Sequence, residues 1–161
     1  MFIPFEELSE EARLWIYTVS RPLTEEEVRQ TEAALQTFVE RWETHGKPLR
    51  ASAKVSQGRF ILIAVEEGHQ SASGCSIDAS VGTLRELEAA LGVNILDQGK
   101  IAFRHEDRTE VIAFPELKTA IAAGKIQSDT TIVNTQARQK REWETQSEQP
   151  AAQTWLKRYF S

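Results

Sequence analysis

The spacing of apolar residues changes repeatedly along the first 66 positions, and each change marks an element. Leu14 to Val19 is a run of β-branched and aromatic residues, which predicts a first strand. Arg21-Pro22 breaks it, and Thr24 with Glu27 three residues on forms a capping box. Val28, Thr31, Leu35, Phe38 and Trp42 then recur at steps of three and four, the stripe of a long helix that His45-Gly46 is expected to end. Next, Leu49, Ala51, Ala53 and Val55 alternate with Arg50, Ser52, Lys54 and Ser56, which predicts a strand with one wet face. Gln57-Gly58 supplies a tight turn. Phe60 to Val65 is apolar throughout, as a central strand covered on both sides requires.

The second half repeats the alternation of elements. Val81, Leu84, Leu87 and Leu91 predict a second helix closed by Gly92. Residues 101–104 and 111–114 read as a second hairpin turned at Glu106-Asp107-Arg108. Pro115 suits the first position of a short third helix that stops at Gly124, and residues 130–133 form a last short strand. From 135 onward the chain is polar and poor in β-formers until Trp155, Leu156, Tyr159 and Phe160. We therefore expect one domain over 1–134. An irregular polar arm over 135–161 should use its aromatic residues as anchors on that domain or on a partner. The fold class is α+β. The order β-α-β-β-α-β predicts a ferredoxin-like core, an antiparallel sheet with both helices on one face, plus the extra hairpin strand, the short helix and the arm.

Composition narrows the classes of function. With 161 residues the chain can bury a core without disulfides or metal. A net charge of −5 argues against a nucleic-acid partner. The one basic cluster, Arg138 with Lys140 and Arg141, is followed by glutamates at 142, 144 and 148. The start of the chain lacks a secretory pattern, and the longest apolar run, Phe60 to Val65, is far short of the roughly 20 residues of a membrane helix. No membrane partner is expected. The single cysteine excludes an internal disulfide and fits a reducing, cytoplasmic setting.

The stretches SRPLTEEEV, RFILIAVEE, SGCSIDAS, GKIQSDTTIVN and WLKRYF resemble a family of small bacterial proteins familiar from Bacteroidetes-type genomes, and the likeness covers most of the chain, from about Trp15 to Phe160. Members of that family are often labelled "ABC transporter ATPase", and the resemblance transfers that name and no established activity, fold or catalytic residue. The residues speak against that name. A phosphate-binding loop needs GxxxxGK[ST]. The three Gly-Lys pairs, at 46, 99 and 124, are followed by Pro48, Ile101 and Ile126 and preceded at the required spacing by Arg41, Asn94 and Thr119.

Chemistry concentrates in ASGCSIDAS, residues 72–80. A helix N-terminus carries free N–H groups and a partial positive charge, which favours anions and thiolates. Cys75 is the candidate nucleophile, and Ser73, Gly74, Ser76, Asp78 and Ser80 are the candidate ligand-binding residues around it. Arg21, between strand and helix, is a further candidate anion clamp. The same serines and aspartate are also what a well-made helix start uses. His69 is near enough in sequence to act as a base, whereas His45 and His105 sit at a helix end and a turn. The isolated histidines and lone cysteine give no metal spacing, so neither metal nor cofactor is expected.

Two functions follow from these residues. The first is a non-catalytic domain that binds a small anionic ligand or a protein partner, with a homodimer as one form of that partnership. The second is a small thiol-dependent or anion-binding enzyme using Cys75.

Overall fold

In the computed structural model, which describes residues 1–68 and 71–160, the chain is a mixed α+β structure with antiparallel sheets. The first strand, β1 (Arg13–Thr18), leads into helix α1 (Glu25–Arg41). Thr24 and Glu27 make the reciprocal bonds of the capping box, so the start of α1 is where local chemistry put it. Its end differs from the expectation. Trp42 is the C-cap, and His45-Gly46 instead turns a small ribbon, β2 (Glu43–Thr44) with β3 (Lys47–Pro48), both turn residues having positive φ. A two-residue hairpin turn needs that left-handed pair of dihedrals, and Gly46 supplies it without strain.

Strands β4 (Arg50–Ser56) and β5 (Phe60–Glu66) form the expected hairpin, turned at Gln57-Gly58 with φ of 58° and 63°. β5 also pairs along its length with β1, which gives the first sheet the order β1-β5-β4. The apolar run of β5 is explained by alternation. Ile61, Ile63 and Val65 face α1 and the second helix, α2 (Gly74–Leu91), whereas Phe60, Leu62 and Ala64 face a second layer of chain. Leu35, Val39 and Leu84 are wholly buried on the helix side, each contributing roughly 1.5–3 kcal/mol.

After α2, Gly92 takes the left-handed cap conformation, φ 65°. Asn94 then exchanges bonds with Ser20 at the end of β1, and a turn in which Asp97 accepts from Gly99 redirects the chain. The next strand, β6 (Lys100–His105), consequently does not join the first sheet. It pairs with β7 (Arg108–Ala113) and with β8 (Thr131–Val133) in a second, four-stranded sheet of order β7-β6-β8-β9, where β9 is Glu148–Pro150. Only the first three strands follow the order expected of a ferredoxin-like sheet, and that topology as a whole is not confirmed. Along the free edge of β1 lies residue 139, bridged to Arg13, with Leu14 N–H donating to Arg138 O.

Two further expectations change. The second face of β4 is only partly wet: Arg50 is exposed, but the turn Phe5–Glu7 lies over the middle of the face, Ser52 is buried, and the Lys54 ammonium sits 4.4 Å from the centre of the Phe5 ring. The stretch from 135 is not irregular either. It contains helix α4 (Lys140–Gln146) and β9, and it buries Ala137, Trp143, Ala151 and Leu156. Trp143 meets Phe60 edge-on at 5.9 Å, and Lys140, far from being part of a basic patch, is buried with its ammonium donating to the carbonyls of Glu6 and Leu8. The short helix α3 (Leu117–Ala122) and the turn Trp155–Tyr159 cover the outer face of the second sheet, burying Leu117 and Leu156 against Ile101 and Phe103. Among the described residues no helix is long and apolar enough to cross a membrane.

Candidate functional site

α1 and α2 run side by side on one face of the first sheet, the start of one beside the end of the other. Trp42, at the end of α1, donates from its indole to Ser76 O at the start of α2 at 2.8 Å. At the opposite end, Arg21 donates to Leu91 O, the last residue of α2. Where the helices face solvent their side chains are short, and a groove of about 1190 Å³ lies between them. Ala33, Ala34, Thr37 and Phe38 line it from α1, and Ala79, Thr83, Leu87 and Ala90 from α2. Steps of three and four along α2 place those four residues on one face, which is the signal by which a sequence reading could have found the groove.

Most of the polar groups collect at one end, with Glu86 standing apart from them on α2. Arg41, Glu43 and His45 come from the end of α1 and the ribbon, and Ser73, Gly74, Cys75 and Ser76 from the start of α2. Helix α2 begins earlier than the sequence suggested. Ser73 is its N-cap, accepting from Ser76 N–H, so Cys75 lies inside the first turn and is exposed. Ser76 is buried, with its hydroxyl donating to Glu43 O at 2.7 Å and touching the Ser73 hydroxyl at 2.9 Å. Those contacts explain its place in the sequence: it fastens the start of α2 to the ribbon that follows α1.

The structure therefore gathers Ser73, Gly74, Cys75 and Ser76 and separates the remaining candidates from them. Asp78 is exposed and does not line the groove. Ser80 is buried and turns its hydroxyl back to Ile77 O. Arg21 is at the far end of the helices, engaged with Glu27 through both terminal nitrogens. His69 lies outside the described residues. In its place His45, read from sequence as a helix-end residue, lines the same end of the groove as Cys75, with no hydrogen bond between them. Only the hairpin at 43–48, which carries His45 round toward α2, makes that meeting, and no local spacing announces it.

The three Gly-Lys pairs fall in the ribbon turn, at the entry to β6 and after α3. None of them leads from a strand into a helix, the geometry a phosphate-binding loop needs. Among the described residues no group of three or more His, Cys, Asp or Glu side chains is placed to hold a metal. No protein-family model matches the chain, and no curated protein or solved structure is significantly similar to it.

Proposed function

We propose that this protein is a non-catalytic binding module whose ligand lies in the groove between α1 and α2. One observation carries the reading: a hollow of about 1190 Å³ has Trp42 and Leu87 buried in its floor and alanines, threonines and Phe38 along its walls, with most of its polar groups at one end and Glu86 apart from them on α2. Pockets for small molecules have this make-up, a mostly apolar lining with few polar groups that fix orientation. The ligand class that fits is an amphipathic small molecule. Its apolar body lies along Ala34, Ala79 and Thr83, and its anionic group lies toward Arg41 and the first turn of α2.

The experiment is a titration with 8-anilinonaphthalene-1-sulfonate, an aromatic sulfonate, competed by decanoate. We expect saturable fluorescence with one site per chain, displacement by decanoate, and loss of both in Ala79→Glu with the fold retained by circular dichroism. Unsaturable fluorescence, or a signal that Ala79→Glu leaves unchanged, would overturn the reading.

A second reading is favoured by one specific observation, the exposure of Cys75 in a groove that His45 also lines. In that reading His45 takes the thiol proton, the Cys75 sulfur displaces the leaving group from an acyl carbon held in the groove, and that group departs with the proton from His45. Its signature is alkylation of Cys75 at pH 7 faster than that of glutathione and slowed in His45→Asn.

The ferredoxin-like description is retained for the first sheet and its two helices, supported by the order β1-β5-β4. A cytoplasmic setting is proposed on the single unpaired cysteine.

A further inference from the structure

A second hollow, of about 520 Å³, opens on the other side of the molecule, in the fork between β6 and β8. Its origin is in the backbone. The two strands are in register at Phe103 and Ile132, after which β8 turns aside. Thr135 N–H donates to Val133 O in a tight turn, and Asn134 N–H donates to Ser147 O, away from β6. A wedge is left between residues 100–102 and 133–135. Its rim carries Phe114 and Trp155, the two most exposed large aromatic side chains described, at 45% and 40%. Their rings are stacked on one another, with centroids 5.9 Å apart and planes 26° apart. Burial of each elsewhere would be favourable, yet both stand at the mouth of a cavity.

The polar lining has a definite character. Gln98, Gln136 and Gln149 line the wedge, the first two exposed and the third half-buried, and among the described residues no side-chain amide of the three is hydrogen-bonded to protein. Each amide offers a donor and an acceptor together. Among the described residues Lys100 is the one charged side chain in the lining, and its ammonium is already held by Asn94 Oδ1 at 2.6 Å and by Asp97 O. Among the described residues no carboxylate lines the wedge. A sugar, whose hydroxyl donors are best met by ionised carboxylates, is poorly served by this set. A neutral planar ring with donors and acceptors on its edge is well served: its face extends the Phe114–Trp155 stack and its edge meets the amides.

We propose that the fork between β6 and β8 is a binding site for a free nucleobase or nucleoside, separate from the α1–α2 groove. The test is NMR titration of the full chain with adenosine, with uridine, with AMP and with glucose, following the Trp155 indole and the glutamine side-chain amides. We expect saturable shifts with at least one nucleoside, confined to residues 98–102, 132–136, 149 and 154–155, and no tighter binding of AMP. Trp155→Ala should weaken that binding about five- to a hundredfold, the range of one base–aromatic stack. Gln149→Leu, a milder change, should weaken it while leaving the rest of the spectrum unmoved. No saturable nucleoside shift at millimolar concentration, shifts centred on the α1–α2 groove, glucose binding in place of nucleoside, or full affinity in both variants would each overturn the proposal.

Discussion

The Arg21 guanidinium lies across the Glu27 carboxylate with both N–O distances at 2.8 Å, and it also donates to the Leu91 carbonyl at 3.0 Å. One side chain thus joins the loop after β1, the first turn of α1 and the last residue of α2. The pair is a clamp between helices, and Arg21 does not line the groove.

That clamp predicts an acid-sensitive contribution to stability. The Arg21 hydrogen bonds, followed by the Thr24 backbone N–H, hold the Glu27 carboxyl at about 2. An unfolded glutamate titrates near about 4.3. Because the folded value is the lower one, the stabilisation is fully present above the unfolded value and is lost as pH falls through the folded one. Glu27→Gln, which retains the capping-box acceptor, should therefore lower the urea midpoint at pH 7. The gap from wild type should narrow steadily between pH 4.5 and 2. A gap that is constant with pH would show that the ion pair contributes nothing.

The fastening of α2 to the ribbon predicts a cost at Ser76. Its buried hydroxyl donates to Glu43 O, and its carbonyl accepts from Trp42. Ser76→Ala removes the first bond and leaves the second, so a loss of about 1–2 kcal/mol is expected in chemical denaturation. Ser80→Ala, whose hydroxyl only bonds within its own helix turn, should cost less.

Ser52 predicts the opposite sign. Its side-chain oxygen is buried and has no hydrogen-bond partner among the described residues. Ser52→Ala removes an uncompensated polar atom from beneath Phe5 and should raise stability by about 1 kcal/mol. Thermal denaturation of the two proteins side by side decides it, and a lower melting temperature for Ser52→Ala refutes it.

The C-terminal segment should behave as core. Leu156 is wholly buried against the second sheet, so Leu156→Ala should cost about 2–5 kcal/mol in urea unfolding. Trp155→Ala, one residue away and 40% exposed, should cost clearly less. Equal effects would mean that the segment is not packed as described.

Cys75 in the first turn of α2 is exposed, so a maleimide should label it in native buffer without denaturant. Cys75→Ser should change stability by no more than about 0.5 kcal/mol. Labelling that waits for unfolding would remove the thiol reading of the groove altogether.

Local chemistry was enough for much of this. The capping box at Thr24 and Glu27, the left-handed Gly92, the turn at Gln57-Gly58 and the doubly buried run Phe60–Val65 act within a few residues of themselves, and each stands where the sequence put it. The stretch at 72–80 was legible as a helix start for the same reason, because Ser73 needs only Ser76 to cap it. What lay beyond reach depends on partners distant in sequence. Whether β6 joins the first sheet or founds a second is decided where Asn94 meets Ser20 and where Arg138 takes the edge of β1. The polar tail becomes helix, strand and core because Lys140 finds the carbonyls of Glu6 and Leu8, and Leu156 finds Phe103. His45 and Cys75, 30 positions apart, share a groove only because a hairpin turns one toward the helix that carries the other. Periodicity and caps are short-range forces written in neighbouring residues, whereas a sheet edge and a cavity exist only once distant segments have been brought together.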